Sequence, residues 1–244
     1  MDCIMAELLY LKDCYRKEFE AQVIGIGDGT EIVLDKTLFY PNSGGQPNDT
    51  GILRHEKTEY KVVDVLKKDG IIIHKVNSAG LKPDDKVTGI IDWDRRYRLM
   101  RYHTAAHMLS TLIHNDTGAA ITGNQLYLDK ARVDFSLERF DRELMKSYEE
   151  KANSIIIKNL PVSFRILDRE DAFKIPALVK LRKQLPESIT EIRIVDIASK
   201  DYDFDHQACG GTHLSNTSEI KRIEIFALEN KGKDRKRIYF RLMD

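Results

Sequence analysis

Two histidines, His103 and His107, stand four residues apart in the stretch RYHTAAHMLS. On a helix this spacing puts both imidazoles on one face, about 6 Å apart along the axis, so both can reach one ion. Zinc proteases use the same spacing but require a glutamate after the first histidine as general base. Here Thr104, Ala105 and Ala106 fill the interval, none of which takes up a proton, and this argues against a peptidase. Two ordinary core histidines and half of a metal site both stay open. Farther along, ACGGTH sets Cys209 and His213 in a C-x-x-x-H arrangement around Gly210 and Gly211. The glycines allow a tight loop that turns both side chains inward, and a thiolate with an imidazole is a zinc-compatible donor set. The alternative is a buried free thiol beside a hydrogen-bonded histidine. Spacing alone does not join the two pairs.

A third stretch, YPNSGGQPNDTG over residues 40–51, reads either as a surface loop or as a phosphate cradle. In the second case the backbone of Ser43, Gly44, Gly45 and Gln46 approaches an anion. It is not a P-loop, because no Gly-Lys-Ser/Thr follows. Basic residues cluster twice, as Arg95, Arg96, Arg98 and Arg101, and as Lys231, Lys233, Arg235, Lys236 and Arg237 around Gly232. Either cluster is a solvated face or a polyanion contact.

The elements that must carry these residues fall into two parts, 1–94 and 95–244. The first is a series of short β-like runs (21–26, 31–34, 60–66 and 70–76) broken by Asp28-Gly29, Asp69-Gly70 and Ala79-Gly80, which predicts a small barrel or barrel-like sheet. In the second, Leu99, Met100, Ala106, Met108, Leu109 and Leu112 recur at helical intervals, with Gly118 as the expected C-terminal cap. A second amphipathic helix follows over 144–156, ended by Asn159 and Pro161, and a shorter one is expected over 176–185. Strands are predicted at 131–135, 162–167, 191–197, 219–228 and 237–242. The class is α+β, with a barrel-like N-terminal part and a mainly antiparallel C-terminal sheet.

Bulk composition bounds the rest. The chain has 244 residues, 42% of them hydrophobic and 32% charged, which fits a protein with a real core and argues against disorder. No run approaches a membrane span, and the N-terminus lacks a basic leader, so a cytoplasmic location is expected. Three cysteines, Cys3, Cys14 and Cys209, make no disulfide framework. Thirty-nine basic residues balance thirty-nine acidic ones, so any polyanion contact must use a local patch.

HTAAH followed far downstream by CGGTH resembles the editing domain shared by alanyl-tRNA synthetases and the freestanding alanyl-tRNA editing proteins. LFYPNSGGQPNDTG resembles the glycine-rich motif that precedes this domain in the synthetase and in the medium-length freestanding class, AlaX-M. IDWDRRYRLMRYHTAAH, TGNQLYLDKARVDFS, ITEIRIVDI and NTSEIKRIEIFALENKGKDRKRIYF extend the likeness over essentially the whole chain. The resemblance implies hydrolysis of mischarged Ser-tRNA(Ala), and often Gly-tRNA(Ala), to free amino acid and intact tRNA. It also implies one zinc ion held by His103, His107, Cys209 and His213, and phosphate contact by the basic hairpin tip. There is no room for a class II aminoacylation domain, so ATP-dependent charging is not expected.

One position departs from the pattern. The synthetase motif commonly has threonine where this chain has Ala106, and Thr122, supported by Asn124 or Gln125, is the candidate to recognise the serine hydroxyl in its place. Gly210 and Gly211 are candidate oxyanion donors. Four protein ligands fill a zinc tetrahedron, the pattern of a structural site, whereas a catalytic zinc keeps a position open. A non-catalytic zinc-stabilised tRNA-binding module is therefore the chief alternative. A small-ester hydrolase is weaker, since neither motif holds a side-chain base.

Overall fold

The computed structural model describes residues 6–138, 141–175, 178, 187 and 189–244, so Cys3 and almost all of the helix expected over 176–185 lie outside the described residues. The chain forms two compact units, Met1–Met100 with Leu126–Leu128 and Arg101–Gln125 with Asp129–Asp244. The class is α+β with mostly antiparallel sheets, as expected. Among the described residues no helix is long and apolar enough to cross a membrane.

The first unit holds β1 (Glu7–Leu8), β2 (Glu18–Ile26), β3 (Glu31–Leu34), β4 (Lys36–Thr37), β5 (Gly51–His55), β6 (Thr58–Lys68), β7 (Ile71–Val76) and β8 (Lys86–Ile91). Six of them close a barrel in the order β2-β3-β7-β6-β5-β8. Alternate residues point inward, so Phe19, Val23, Ile32, Leu34, Leu53, Val62, Val65 and Ile72 fill one apolar core. Gly89 stands opposite Phe19, and a side chain there would run into the Phe19 ring at 2.2 Å. The expected barrel is present, but β5 and β8 were not legible, because GILRH and KVTGII are short and each includes a glycine.

His74 and Thr37 are buried polar residues beside this core. His74 is the titratable one. It is fully buried, 2.8 Å from Thr37 Oγ1 and 3.0 Å from the Ile32 carbonyl. Burial pushes its pKa from 6.5 down to about 4. Above pH 6.5 both folded and unfolded chains are neutral here, and no stability is lost. Between pH 6.5 and 4 the unfolded chain takes up a proton that the folded barrel refuses. Stability therefore falls as pH falls, by about 3 kcal/mol in all. Denaturant titrations across this window are expected to show that limb in the wild type and to lose it in His74→Gln.

The long helix α1 (Trp93–Thr117) begins where the Asp92 carboxylate accepts the Arg95 N–H. It ends at Gly118, whose φ of +72° and N–H to the His114 carbonyl make the predicted cap. Then come β9 (Ile121–Leu126), β10 (Ala131–Phe135), α2 (Arg142–Ile156), β11 (Val162–Asp168), α3 (Arg169–Ala172), β12 (Glu191–Ser199), β13 (Tyr202–Ala208), β14 (Arg222–Asn230) and β15 (Lys236–Met243). One sheet has the order β14-β15-β10-β9 and another β11-β12-β13. Asn153 and Glu149 of α2 take the N–H groups of Ile223 and Ile225, holding α2 to β14. The strand expected from Glu219 starts later, at Arg222. A 3-10 turn over Thr217–Ile220 precedes it, closed by a capping box between Asn216 and Glu219.

Candidate metal centre

The second unit brings the two halves of the sequence pattern together. His103 and His107 sit one turn apart on α1, and β13 runs directly into the loop that carries Cys209 and His213. One donor atom from each of the four residues lies within 4.8 Å of all the others. Cys209 Sγ is 3.6 Å from His103 Nε2 and 3.3 Å from His213 Nε2. Tetrahedral zinc with ordinary Zn–S and Zn–N bonds would set sulfur and nitrogen roughly 3.5 Å apart, so the donors present fit that ion. The three histidines are buried, at 8%, 7% and 4% exposure, which a set of apolar-facing imidazoles tolerates only with partners for its nitrogens.

Those partners are present. The His107 Nδ1–H donates to Asp205 Oδ2 at 3.3 Å, which turns its other nitrogen toward the quartet. Asp205 also accepts from Thr111 Oγ1 at 2.7 Å and from Gln207 Nε2 at 3.0 Å. His213 Nδ1 lies 3.2 Å from Thr104 Oγ1, a hydroxyl that also accepts the Leu214 N–H. The ligand loop has its own clamp. Arg193 Nη1 donates to the carbonyls of Cys209 and Gly211 at 2.8 and 3.0 Å, while its guanidinium covers the Phe164 ring at 4.6 Å. Asp205, Thr111, Thr104, Gln207 and Arg193 were not identified from the sequence. They carry no motif, and β13 (YDFDHQA) is too polar to read as a strand. The one available signal was Thr104, which lies inside HTAAH.

The electrostatics suit a cation. Burial pushes the Cys209 thiol up, but His103 and His213 outweigh this and hold it well below its ordinary value, as a thiolate. Burial and the charge of His103 hold His213 well down, in the neutral form a metal needs. For His107 burial opposes the charge, yet Asp205 and the Cys209 thiolate raise it to about 10. That proton is the one a bound metal displaces. Asp205→Asn keeps the size of the side chain but weakens its hold on His107. It is expected to lower zinc affinity by about 10–100-fold, measured by competition with a chromophoric chelator.

Other expected site residues are placed differently. The Gly211 N–H donates to Cys209 Sγ at 3.4 Å and so is engaged by the thiolate rather than free for an oxyanion; Gly210 is exposed on the same loop. Thr122, exposed, and Gln125 lie with Asn124 on β9, which belongs to the other sheet from β13 and supplies none of the four donors.

Several assignments to nucleic acid are corrected by burial. Arg96 is 0% exposed: it pairs with the equally buried Asp49 and donates to the carbonyls of Leu38 and Cys14. Burial alone would lower its pKa, and the Asp49 carboxylate outweighs that, so it stays charged inside the first unit. Lys236 is 5% exposed, with Nζ donating to Asn230 Oδ1 and the carbonyls of Gly232 and Lys233, and so closes its own hairpin. Arg237 forms a two-pronged pair with Asp134 at 2.7 and 3.0 Å. Arg101 reaches Asp244 and the Ile220 carbonyl, both at 2.9 Å. Gln46 is fully buried. The Ser43–Gln46 segment is a tight turn with Gly44 at φ +58° and Gly45 at φ +84°, in which the N–H of Ser43 bonds the Gln46 carbonyl and the reverse. Both glycines are needed because the turn requires φ > 0 at its two central residues. Arg95, half-buried, donates to the Asn48 carbonyl at 2.9 Å. Lys233 and Arg235 are exposed, and Lys231 pairs with Glu229 at 2.6 Å.

The chain matches two family models. Residues 4–95 match "tRNA synthetases class II (A)", and residues 192–239 match "Threonyl and Alanyl tRNA synthetase second additional domain". The alanyl-tRNA editing protein AlaX-M of Methanosarcina acetivorans is 51% identical over 98% of this chain and 100% of its own length. That of Saccharolobus solfataricus is 45% identical over 97% and 98%. The alanine–tRNA ligase of Pyrobaculum aerophilum is 38% identical over 91% of this chain, which spans 25% of that protein. Full-length identity at this level, with a histidine–cysteine quartet set between α1 and the 209–213 loop, places the chain in the family of AlaX-M alanyl-tRNA editing proteins.

Proposed function

We propose that this protein hydrolyses the ester of Ser-tRNA(Ala), and of Gly-tRNA(Ala), at a zinc ion held by His103, His107, Cys209 and His213. The convergence of these four donors, in a chain whose full-length relatives are named for alanyl-tRNA editing, carries the reading. Water adds to the ester carbonyl, the bond from that carbon to the ribose oxygen breaks, and the ribose oxygen leaves with a proton. Free amino acid and intact tRNA result, and no ATP is consumed, because the ester is already activated.

Zinc, when bound, supplies a Lewis acid at the centre of the quartet. The chain's own residues do the remaining work. Asp205 aims His107, Thr104 aims His213, and Arg193 holds the Cys209 loop in shape. The Gly210 N–H is the remaining backbone candidate to bond the developing oxyanion. Discrimination against alanine needs a polar group that pairs with the serine hydroxyl and is left unpaired by a methyl group. Thr122 with Asn124 or Gln125 is assigned that role.

Lys233 and Arg235, with Lys231, form the tRNA-facing tip in this reading, while Ser43, Gly44 and Arg95 supply polar surface on the first unit. Replacing Lys233 and Arg235 with alanine is expected to reduce the slope of log K against log salt by roughly one to two, the number of phosphates released. Filter binding across a salt series measures it, and an unaltered slope rejects the tip.

Four protein donors, the set typical of a structural zinc, favour one rival, in which the metal would only stabilise a tRNA-binding module. Incubation with Ser-tRNA(Ala), Gly-tRNA(Ala) and Ala-tRNA(Ala), with and without chelator, separates the two. Chelator-sensitive release of serine and glycine but not alanine supports editing; intact aminoacyl-tRNA in all arms supports the module.

A further inference from the structure

The sheet β14-β15-β10-β9 has two unlike faces. One is apolar and covered: Ile223, Ile238 and Phe240 are buried, and the Phe240 ring lies 5.9 Å from that of Tyr102 on α1. The other carries the alternate residues of β15, Arg237, Tyr239, Arg241 and Met243, a set with no acid in it. Phe226 joins them from β14. The register shifts around it, with Ile225 opposite Phe240 but Ala227 opposite Tyr239, so Phe226 is the extra residue of a bulge. Bulges re-aim side chains, and this one sets Phe226 and Ala227 together on the Tyr239 face.

Four planar groups stand there in one row. The Arg237 guanidinium lies 5.9 Å from the Tyr239 ring, that ring 6.1 Å from the Phe226 ring, and the Arg241 guanidinium 5.6 Å from the Phe226 ring. Acids on neighbouring strands fix the two ends. Asp134 takes Arg237 through Nε and Nη2, and Glu224 takes Arg241 through the same two atoms at 2.8 and 3.1 Å. The row is nevertheless at the surface: Phe226 is 44% exposed and the Arg241 side chain 50%.

Rings flanked by fixed guanidinium groups suit single-stranded nucleic acid, whose bases stack on the planes while its phosphates take the charge. A four-stranded sheet that stacks bases on its aromatic residues is a recurrent platform for RNA. An apolar partner would have to strip water from two arginines without returning a counter-charge. Continuity with the basic tip points the same way, because the chain runs from Arg235 straight into Lys236 and Arg237. The row faces away from α1, which carries His103 and His107, so its occupant is not the ester-bearing nucleotide.

We infer that this face binds an unpaired stretch of the tRNA, separate from its acylated end, by stacking bases on Phe226 and Tyr239 and setting phosphates against Arg237 and Arg241. The identity of the RNA rests on the editing reading; the stacking row does not.

The probe is fluorescein-labelled hexauridylate, an unstructured RNA without an acceptor stem, read by fluorescence anisotropy on the full chain. Phe226→Leu keeps an apolar side chain but removes the ring, and is expected to weaken binding at least about fivefold. Phe226→Trp restores a ring and is expected to bind at least as tightly as the wild type. Arg241→Gln is expected to reduce the slope of log K against log salt by about 0.7, one phosphate on a single strand. Ile157→Ala, at an 80% exposed apolar residue capping α2, is the control and is expected to change nothing. Zinc content and Tm are measured on every variant, and should Phe226→Leu fold poorly the Arg241→Gln slope decides. Uncharged tRNA(Ala) is expected to displace the probe. A wild type that does not bind hexauridylate, a well-folded Phe226→Leu that binds it unchanged, or a probe that tRNA(Ala) leaves in place overturns the inference. Ring-dependent binding of probe and tRNA by a protein that leaves Ser-tRNA(Ala) intact instead overturns the editing reading alone.

Discussion

Cys209→Ala and His103→Ala proteins are expected to lose Ser-tRNA(Ala) hydrolysis by at least about a hundredfold while binding tRNA within a few-fold of the wild type. Removal of outer partners of a metal ligand already costs about 10–100-fold, and loss of a ligand itself costs more. In Cys209→Ala the quartet loses its only soft donor and its negative charge together. The thiolate that balances His107 and draws in a cation is gone, and three imidazoles are left facing one another with ring centroids 4.2–5.2 Å apart. The basic tip proposed to face tRNA lies between β14 and β15, away from the substituted residues in sequence. The measurement is paired: release of radiolabelled serine under single-turnover conditions, and tRNA affinity by filter binding, with zinc content determined on the same sample. A Cys209→Ala protein that lacks metal and hydrolyses at the wild-type rate would reject zinc as part of the site.

Asp49→Ala is expected to destabilise the first unit by about 3–5 kcal/mol, the largest stability effect anticipated in this chain. Arg96 and Asp49 are both fully buried, and the carboxylate takes contacts from Arg96 Nε as well as the Tyr40 N–H at 2.7 Å. Truncation of the acid leaves a guanidinium charge in the interior with only the carbonyls of Leu38 and Cys14 as partners. The cost arises from that uncompensated charge more than from the lost attraction. Asp49→Ala combined with Arg96→Met is therefore expected to recover most of the loss, because an apolar side chain needs no counterion. Urea unfolding of the single and double variants measures the difference. A double variant no more stable than Asp49→Ala would show that the pair acts through shape rather than charge.

The buried pair also shows where sequence reading stops. Arg95, Arg96, Arg98 and Arg101 look alike along the chain, yet Arg96 is interior, Arg101 is engaged with Asp244 and Ile220, and Arg98 is exposed. The helical turn decides this: residues one apart on α1 point about 100° from each other, so adjacent arginines meet different surroundings. Lys236 and Arg237 diverge from Lys233 and Arg235 for a related reason. The first two open β15, where alternation turns one onto carbonyls and the other onto Asp134, while the others sit on the exposed tip. Asp205 was illegible for the opposite reason. An acid in a polar run reads as surface, and it is buried only because His107 and Thr111 arrive from α1 to meet it.

The four donors, the helix that spaces two of them, its glycine cap, the barrel class of the first part and the likeness to alanyl-tRNA editing proteins were all legible in the sequence. Each depends on local periodicity, turn chemistry or a short motif, which neighbouring residues carry by themselves. The joining of His103 and His107 to Cys209 and His213, the Asp205, Thr104 and Arg193 supports, and the sorting of arginines into core and surface belong to the tertiary structure. They are contacts between residues far apart in the chain, and which of them form depends on strand order, register and helix rotation.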